Sequence, residues 1–298
     1  MDLKELIIKN RPNLKDTTVK TYYSTMKSLY KKVYPSDKDI DLTKFNETDK
    51  FISYLMENYK PSVRKTYLSG LVVITENDVY REQMMKDVET TNEELETHEM
   101  TQKQKENHIT NSEVNGLIQS LKNEVKLIYK NQSYTPENLI TIQNYILMLL
   151  FSGKYTLPRR SMDWFMFKIK NIGDNDNFLD DNENPTFVFR SYKTSSTYGE
   201  QRVKVPSVLL KIIRKYINVI PESQEYLFFT ITGKPMSAVT INQRFNGLFL
   251  SKNVSVNNFR HLFLSHKYQK NIHLNKDLHD MGTSSKQLAT YIQKGDFK

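Results

Sequence analysis

From Leu139 to Phe151 the chain is almost wholly apolar, broken only by Thr141, Gln143 and Asn144. A stretch of this kind reads as a helix buried at the centre of a domain. It is too short to span a bilayer, which takes roughly 20 apolar residues. The rest of a domain must therefore wrap around it. The stretch runs straight into Ser152-Gly-Lys-Tyr-Thr-Leu-Pro-Arg-Arg-Ser-Met-Asp163, so Arg159 and Arg160 lie at a turn just beyond a core element. Such a turn can aim one guanidinium into a cleft.

The surrounding pattern is mostly helical. Apolar and aromatic residues recur at three and four from Thr17 to Val33 (Val19, Tyr22, Tyr23, Met26, Leu29, Tyr30), and further helices fit Glu47 to Tyr59 and Pro61 to Glu76. The region from Glu82 to Asn107 is polar and reads as the interdomain connection, a helical start being compatible with it. A new helix is expected from Thr110-Asn-Ser-Glu-Val, with a capping residue and an acid in its first turn. Gly173 to Pro185, dense in Asp and Asn, reads as a loop. Thr186–Arg190 and Gln201–Val205 alternate as strands of a hairpin, with Lys193 at the end of the first strand or in the turn. Helices follow at 207–216 and 240–249, around Arg260, near 275–281, and from Lys286 to Gln293. The expected class is mainly α with a small β-hairpin or sheet (α+β), arranged as a helical unit over 1–90, a linker over 91–108 and a second domain over 109–298.

Composition narrows the chemistry. The 298 residues carry a net charge of +9 and a pI near 9.3, which makes a polyanion a natural partner, nucleic acid and anionic membrane both being open at this level. The start, Met-Asp-Leu-Lys-Glu-Leu, lacks a signal-peptide profile, so an intracellular, soluble protein is expected. With no cysteine there is no thiol nucleophile and no zinc-thiolate site. The six histidines show no metal-ligand spacing, and neither a P-loop nor GxGxxG occurs. A mechanism without metal or nucleotide cofactor is expected.

The most informative segment is Ser255-Val-Asn-Asn-Phe-Arg-His-Leu-Phe-Leu-Ser-His266. Arg260 sits there among Phe259, Leu262, Phe263 and Leu264, and a guanidinium on an apolar face is costly unless an anion or carboxylate meets it. Taken singly, each candidate has an ordinary reading: Arg159 and Arg160 as a solvated pair, Lys193 as a surface charge, Tyr291 as one of 18 tyrosines, and Arg260 as a snorkelling side chain. Their order along the chain is what stands out.

Two arginines, a hairpin lysine between them and a late tyrosine resemble the tyrosine recombinase (phage integrase) family. Arg160-Ser-Met-Asp163 followed by an apolar run is similar to the family's first arginine box and favours Arg160 over Arg159. Lys193 in Tyr192-Lys-Thr matches the hairpin lysine. Asn257-Asn-Phe-Arg260-His261 matches the second box, with Asn257 where the family usually has histidine, and Met281-Gly-Thr-Ser matches the third, with Thr283 in the usual His or Trp place. The separation of Arg260 from Tyr291 also suits the family. The wording of these motifs looks most like recombinases of eukaryotic DNA viruses, virophages and related mobile elements.

The resemblance implies a helical core-binding domain followed by a catalytic domain, and a site-specific recombinase or integrase that joins DNA without ATP through a 3′-phosphotyrosyl intermediate. It implies Arg160 and Arg260 as the phosphate clamp, Lys193 as the acid for the leaving 5′ oxygen and Tyr291 as nucleophile. Asp163 would support the Arg160 region, with Asn257 and His261 as candidates for hydrogen bonding and proton transfer. His261 could instead face away and pack structurally. Implied partners are double-stranded DNA at inverted or terminal repeats and further subunits forming a tetramer on DNA in the host cytoplasm or nucleus, with no membrane. The chain stops at Lys298, leaving little beyond Tyr291 for a docking helix, so either another segment makes that contact or the chain is a fragment. Two alternatives stay open: a DNA-binding protein that has lost its chemistry, suggested by Asn257 and Thr283, and an enzyme like a type IB topoisomerase or telomere resolvase.

Overall fold

The computed structural model describes residues 2–96 and 99–268. Among them the chain is mostly helical, with one three-stranded antiparallel sheet in the order β1-β2-β3, the mainly α, α+β class expected from the sequence. It divides into two compact units, Met1–Thr101 and Gln102–Lys298. No helix among the described residues is long and apolar enough to cross a membrane. The helices expected near 275–281 and 286–293, with Thr283 and Tyr291, lie outside the described residues.

In the first unit, α1 (Leu3–Asn10) opens with a capping box in which Asp2 accepts from the Glu5 N–H and Glu5 accepts from the Asp2 N–H, both at 2.8 Å. Then come α2 (Asp16–Val33), a 3₁₀ turn (Leu42–Asn46), α3 (Thr48–Asn58), α4 (Pro61–Thr75) and α5 (Asp78–Glu96). Met26, Leu29, Tyr30, Phe45, Phe51, Leu68 and Tyr80 form its fully buried centre. The polar stretch read as a connection is helical through Glu96. It hides a buried acid: Asp87 is almost wholly enclosed and takes a two-pronged contact from Arg64, at 2.9 Å from Nε and 2.6 Å from Nη2. A helix docked through a polar pair lacks the apolar stripe that periodicity detects.

The second unit contains α6 (Gln102–Glu106), α7 (Asn111–Asn131), α8 (Pro136–Phe151), a 3₁₀ turn (Ser161–Asp163), β1 (Phe178–Asp180), β2 (Thr186–Phe189), α9 (Ser195–Tyr198), β3 (Gln201–Lys204), α10 (Ser207–Ile217), α11 (Ala238–Leu248) and α12 (Val256–Tyr268). Helix α8 is the apolar stretch, and Ile142, Ile146, Leu147, Met148, Leu150 and Phe151 are fully buried along it. Beyond its end stands Trp164, the chain's single tryptophan, 1% exposed. Its ring meets Phe167 at 4.9 Å, Phe187 at 5.0 Å, Phe189 at 5.2 Å, Phe151 at 6.4 Å and Phe228 at 6.5 Å. These edge-on and tilted contacts fasten α8 to the inner face of the sheet. Phe245 of α11 and Phe259 of α12 also meet the Phe151 ring, at 5.3 and 6.4 Å.

The expected hairpin is β2 paired with β3, Thr186 opposite Lys204 and Phe189 opposite Gln201. The Asp- and Asn-rich segment before it is not only loop. It contributes β1, paired from Phe178↔Val188 to Asp180↔Thr186. Three residues are too few to show alternation, so this strand is made by its partner and not by its own pattern.

The loop leading into α12 is tied to the start of α7. Lys252 donates to the His108 carbonyl at 2.7 Å and pairs with Glu113, the Asn253 N–H donates to Asn107 Oδ1 at 2.6 Å, and Asn258 Nδ2 donates to the Asn107 carbonyl at 2.9 Å. Glu113 is also the acid expected in the first turn, and of the two possible caps, Thr110 and Asn111, it is Thr110 that forms a capping box with it. The Lys252 ammonium first, then the Thr110 hydroxyl and N–H, lower the Glu113 carboxyl to about 2. A depressed carboxyl contributes stability that is complete above its ordinary value of 4.5 and is lost as pH falls through about 2. Acid unfolding followed by Trp164 fluorescence is therefore expected to show a smaller loss of stability across that window in Glu113→Gln than in the wild type. An unchanged acid limb would mean that the pair contributes nothing.

Candidate active site in the second unit

Helix α8 ends at Phe151, and Gly153 turns the chain at φ +76°. A Cβ there would lie 2.4 Å from the Phe263 ring, so the turn and α12 approach as closely as they do because this residue is glycine. The chain continues to Pro158, Arg159 and Arg160, with Arg160 in extended conformation as the cap of the 3₁₀ turn.

The two neighbouring arginines have different surroundings. Arg159, 18% exposed, pairs through Nε with Asp163 Oδ2 at 2.9 Å and donates from Nη1 to Gln201 Oε1 at 2.8 Å. The flat of its guanidinium lies 3.9 Å from the Phe189 ring centre and 5.2 Å from that of Tyr192. Arg160 is partly buried; its carbonyl accepts from the Asp163 N–H at 3.0 Å, but its guanidinium forms no hydrogen bond or ion pair among the described residues. Asp163 is 3% exposed. Burial raises its carboxyl above the ordinary range, while the charges of Arg159, Arg160 and Arg260 pull the other way.

Arg260 projects from the first turns of α12 toward the same place, its Nη1 3.4 Å from the Pro158 carbonyl. Burial lowers its guanidinium from the usual value, and the like charge of Arg160 adds to that, against the opposing pull of Asp163. The like charges of Arg160 and Arg260 disfavour one another, and Asp163, the carboxylate that acts on Arg260, is paired with Arg159. An anion placed between them would relieve that repulsion.

Asn257 and His261 sit three residues before and one after Arg260, so Asn257, Arg260 and His261 fall along one edge of α12. Both flanking residues are exposed, and His261 is not packed in the core. Lys193 is exposed in the β2–β3 connection. Its neighbour Tyr192 is buried, with the hydroxyl donating to the Gly199 carbonyl at 2.8 Å. That connection is longer than a hairpin turn, because α9 is folded into it. Tyr291 lies outside the described residues.

Sequence reasoning singled out Arg160 and Asp163 as a unit, whereas the Asp163 carboxylate is bonded to Arg159. The four-residue spacing from Arg159 to Asp163 carried a hint of this. Nothing in the sequence indicated Gln201, which is brought to Arg159 by strand register. A second arginine also went unnoticed. Arg244 of α11 donates to the Phe229 carbonyl at 3.0 Å, Asn144 Oδ1 at 3.1 Å and Gln143 Oε1 at 3.4 Å, and burial lowers it to about 10. It pins α11 to the polar notch in α8.

No family model matches the chain, and no curated protein matches its sequence. Among solved structures it is similar to "Crystal structure of a lambda integrase(75-356) dimer bound to a COC' core site", at 15% identity and a TM-score of 0.46, over 99% of this chain and 97% of that one. It is similar to a XerA recombinase at 11% identity and a TM-score of 0.37, over 90% of this chain and 84% of that one. A further lambda integrase dimer bound to a COC' core site matches at 14% identity and a TM-score of 0.45, over 99% and 79%. Likeness at this level assigns no function to this chain.

Gly153→Ala is expected to destabilise the second unit by about 1–3 kcal/mol, because the new methyl group meets Phe263. Gly233→Ala is the control: it also has positive φ, +78°, but nothing lies within 4 Å of the added carbon. Denaturant unfolding should show Gly153→Ala as the costlier of the two. Equal losses would mean that backbone strain alone is felt.

Proposed function

We propose that the protein is a tyrosine recombinase, cleaving and rejoining DNA strands through a 3′-phosphotyrosyl intermediate to integrate a viral or mobile-element genome. The observation that carries this reading is that Arg260 reaches the carbonyl of Pro158, two residues before Arg160, where it feels the like charge of Arg160 while Asp163 is bonded to Arg159. A phosphodiester under attack gathers charge on its non-bridging oxygens, and two fixed guanidiniums stabilise that charge without reorganising. The order of Arg160, Lys193, Arg260 and Tyr291 in the chain supplies the rest of the assignment.

In this mechanism the Tyr291 phenol loses its proton and its oxygen attacks phosphorus. The bond from phosphorus to the 5′ oxygen breaks, and Lys193 delivers a proton to that oxygen. Asn257 and His261, on the edge of α12 beside Arg260, hydrogen-bond the phosphate or pass the tyrosine proton. The phosphotyrosyl bond retains the energy of the original diester, so a 5′-hydroxyl from a second duplex reverses the step and joins strands without ATP. Four subunits on paired repeat sites complete the exchange.

The test is a pool of nicked duplexes with randomised cores, incubated with the full chain and resolved on a denaturing gel. A protein–DNA adduct that forms with wild type and vanishes in Tyr291→Phe is expected. Arg160→Ala and Arg260→Ala should each slow its formation about 10²–10³-fold. DNA retained on a native gel with no adduct from any pool member would sink the enzymatic reading and favour a DNA-binding protein in which Asn257 and Thr283 mark lost chemistry. Relaxation of supercoiled plasmid without a paired site would point to the topoisomerase-like alternative.

A further inference from the structure

Arg159 lies outside the proposed catalytic set, yet every polar edge described for it is directed at something that matters to that set. Asp163, on its Nε, ends the 3₁₀ turn that Arg160 caps. Gln201, on its Nη1, begins β3, and Phe189, under its flat face, ends β2. Phe189 and Gln201 are register partners, the last rung of the ladder before the chain departs into the connection that carries Lys193. Tyr192, against the same guanidinium, immediately precedes that lysine.

A second side chain makes the same bridge from the other end of the turn. Asn177 is buried, and its amide is fully used. Its Nδ2 donates to the Asp163 carbonyl at 2.9 Å and the Ser191 carbonyl at 2.8 Å, and its Oδ1 accepts from the Arg190 and Ser191 N–H groups, each at 2.8 Å. Two donors and two acceptor positions are all that a primary amide has. Asn177 therefore grips residues 190 and 191, and Arg159 grips 192 and 201. Between them they fix both ends of the Lys193 connection to the turn that carries Arg160, while Lys193 itself remains exposed.

A buried guanidinium–carboxylate pair is not a cheap way to hold a sheet to a turn, since apolar packing does so without desolvating charge. Such a pair offers direction instead: a planar fork accepts its partners at one orientation only. We propose that Arg159 and Asn177 are positioning residues that set where Lys193 stands relative to the Arg160 turn, and so act on protonation of the leaving 5′ oxygen and not on the charge of the phosphate. This inference rests on the recombinase reading of the same site.

The two effects separate when the 5′-bridging oxygen is replaced by sulfur. A thiolate leaves without being protonated, so breaking the P–S bond makes no demand on Lys193. The probe is a nicked duplex recovered from the adduct pool, synthesised with oxygen or with sulfur at that position, and cleavage is timed in a single turnover. Arg159→Lys and Gln201→Ala both leave Asp163 a cationic partner, and Asn177→Ala removes the second bridge. Each is expected to slow cleavage of the oxygen substrate about 10- to 100-fold and to cleave the sulfur substrate at close to the wild-type rate, as Lys193→Ala does. Arg160→Ala should be slow on both. The inference is overturned if the positioning variants are slow on both substrates, like Arg160→Ala, or match wild type on both. Should Arg159→Lys or Asn177→Ala fail to fold by Trp164 fluorescence, Gln201→Ala, which removes one half-buried amide, decides the matter by itself. Wild type that forms no adduct with either substrate fails earlier, and takes down the recombinase reading together with this one.

Discussion

A carboxylate withdrawn from water in the 3₁₀ turn that follows the core helix is the constraint around which the second unit is arranged. Asp163 cannot be ionised in that position without positive charge close by. Arg159 meets it directly, and the charges of Arg160 and Arg260 act on it from further away. Arg159 bonds one oxygen of the acid, Oδ2, and the guanidinium of the next arginine in the chain forms no ion pair among the described residues. The asymmetry between two adjacent identical residues thus follows from which of them reaches Asp163, and it leaves a concentrated positive field at the junction of the turn and α12.

That field needs a rigid frame, and the frame is aromatic. Phe151 at the end of α8 meets the rings of Trp164, Phe245 and Phe259. The helix that carries Arg260 and the turn that carries Arg160 are therefore packed against the same ring. Further along α8 the apolar surface is interrupted by Gln143 and Asn144, and Arg244 of α11 fills that notch together with the Phe229 carbonyl. The Lys252–Glu113 pair and the Asn107 contacts hold the loop before α12. The first and last of these attachments fix elements that bear candidate residues, the Arg160 turn and α12.

Much of the helical framework was legible because burial imposes a period. Val19, Met26, Leu29 and Tyr30 repeat as a helix face, Thr110 and Glu113 carry a cap, and Leu139–Phe151 could only be interior. The elements that escaped notice obey other rules. The polar half of α5 docks through Arg64 and Asp87, which from sequence look like surface charges. Strand β1 is a rung supplied to β2, with no alternation of its own. Helix α1 is only two turns long, and its capping box at Asp2 and Glu5 was present in the sequence but unread.

For the site, residue order along the chain already names the chemistry-bearing residues: Arg160, Lys193, Asn257, Arg260, His261 and Tyr291. It also determined that Arg160 and Asp163 stand three apart beside a core helix, and that Asn257 and His261 share an edge with Arg260. Those are consequences of spacing along one element, which local geometry dictates. Long-range packing is what assigns Asp163 to Arg159, closes Gln201 and Tyr192 around the same guanidinium, and brings Arg260 to the carbonyl of Pro158 beside the Arg160 turn. Strand register, ring packing and the cost of an unpaired buried charge make those choices, and each depends on residues brought together from distant parts of the chain.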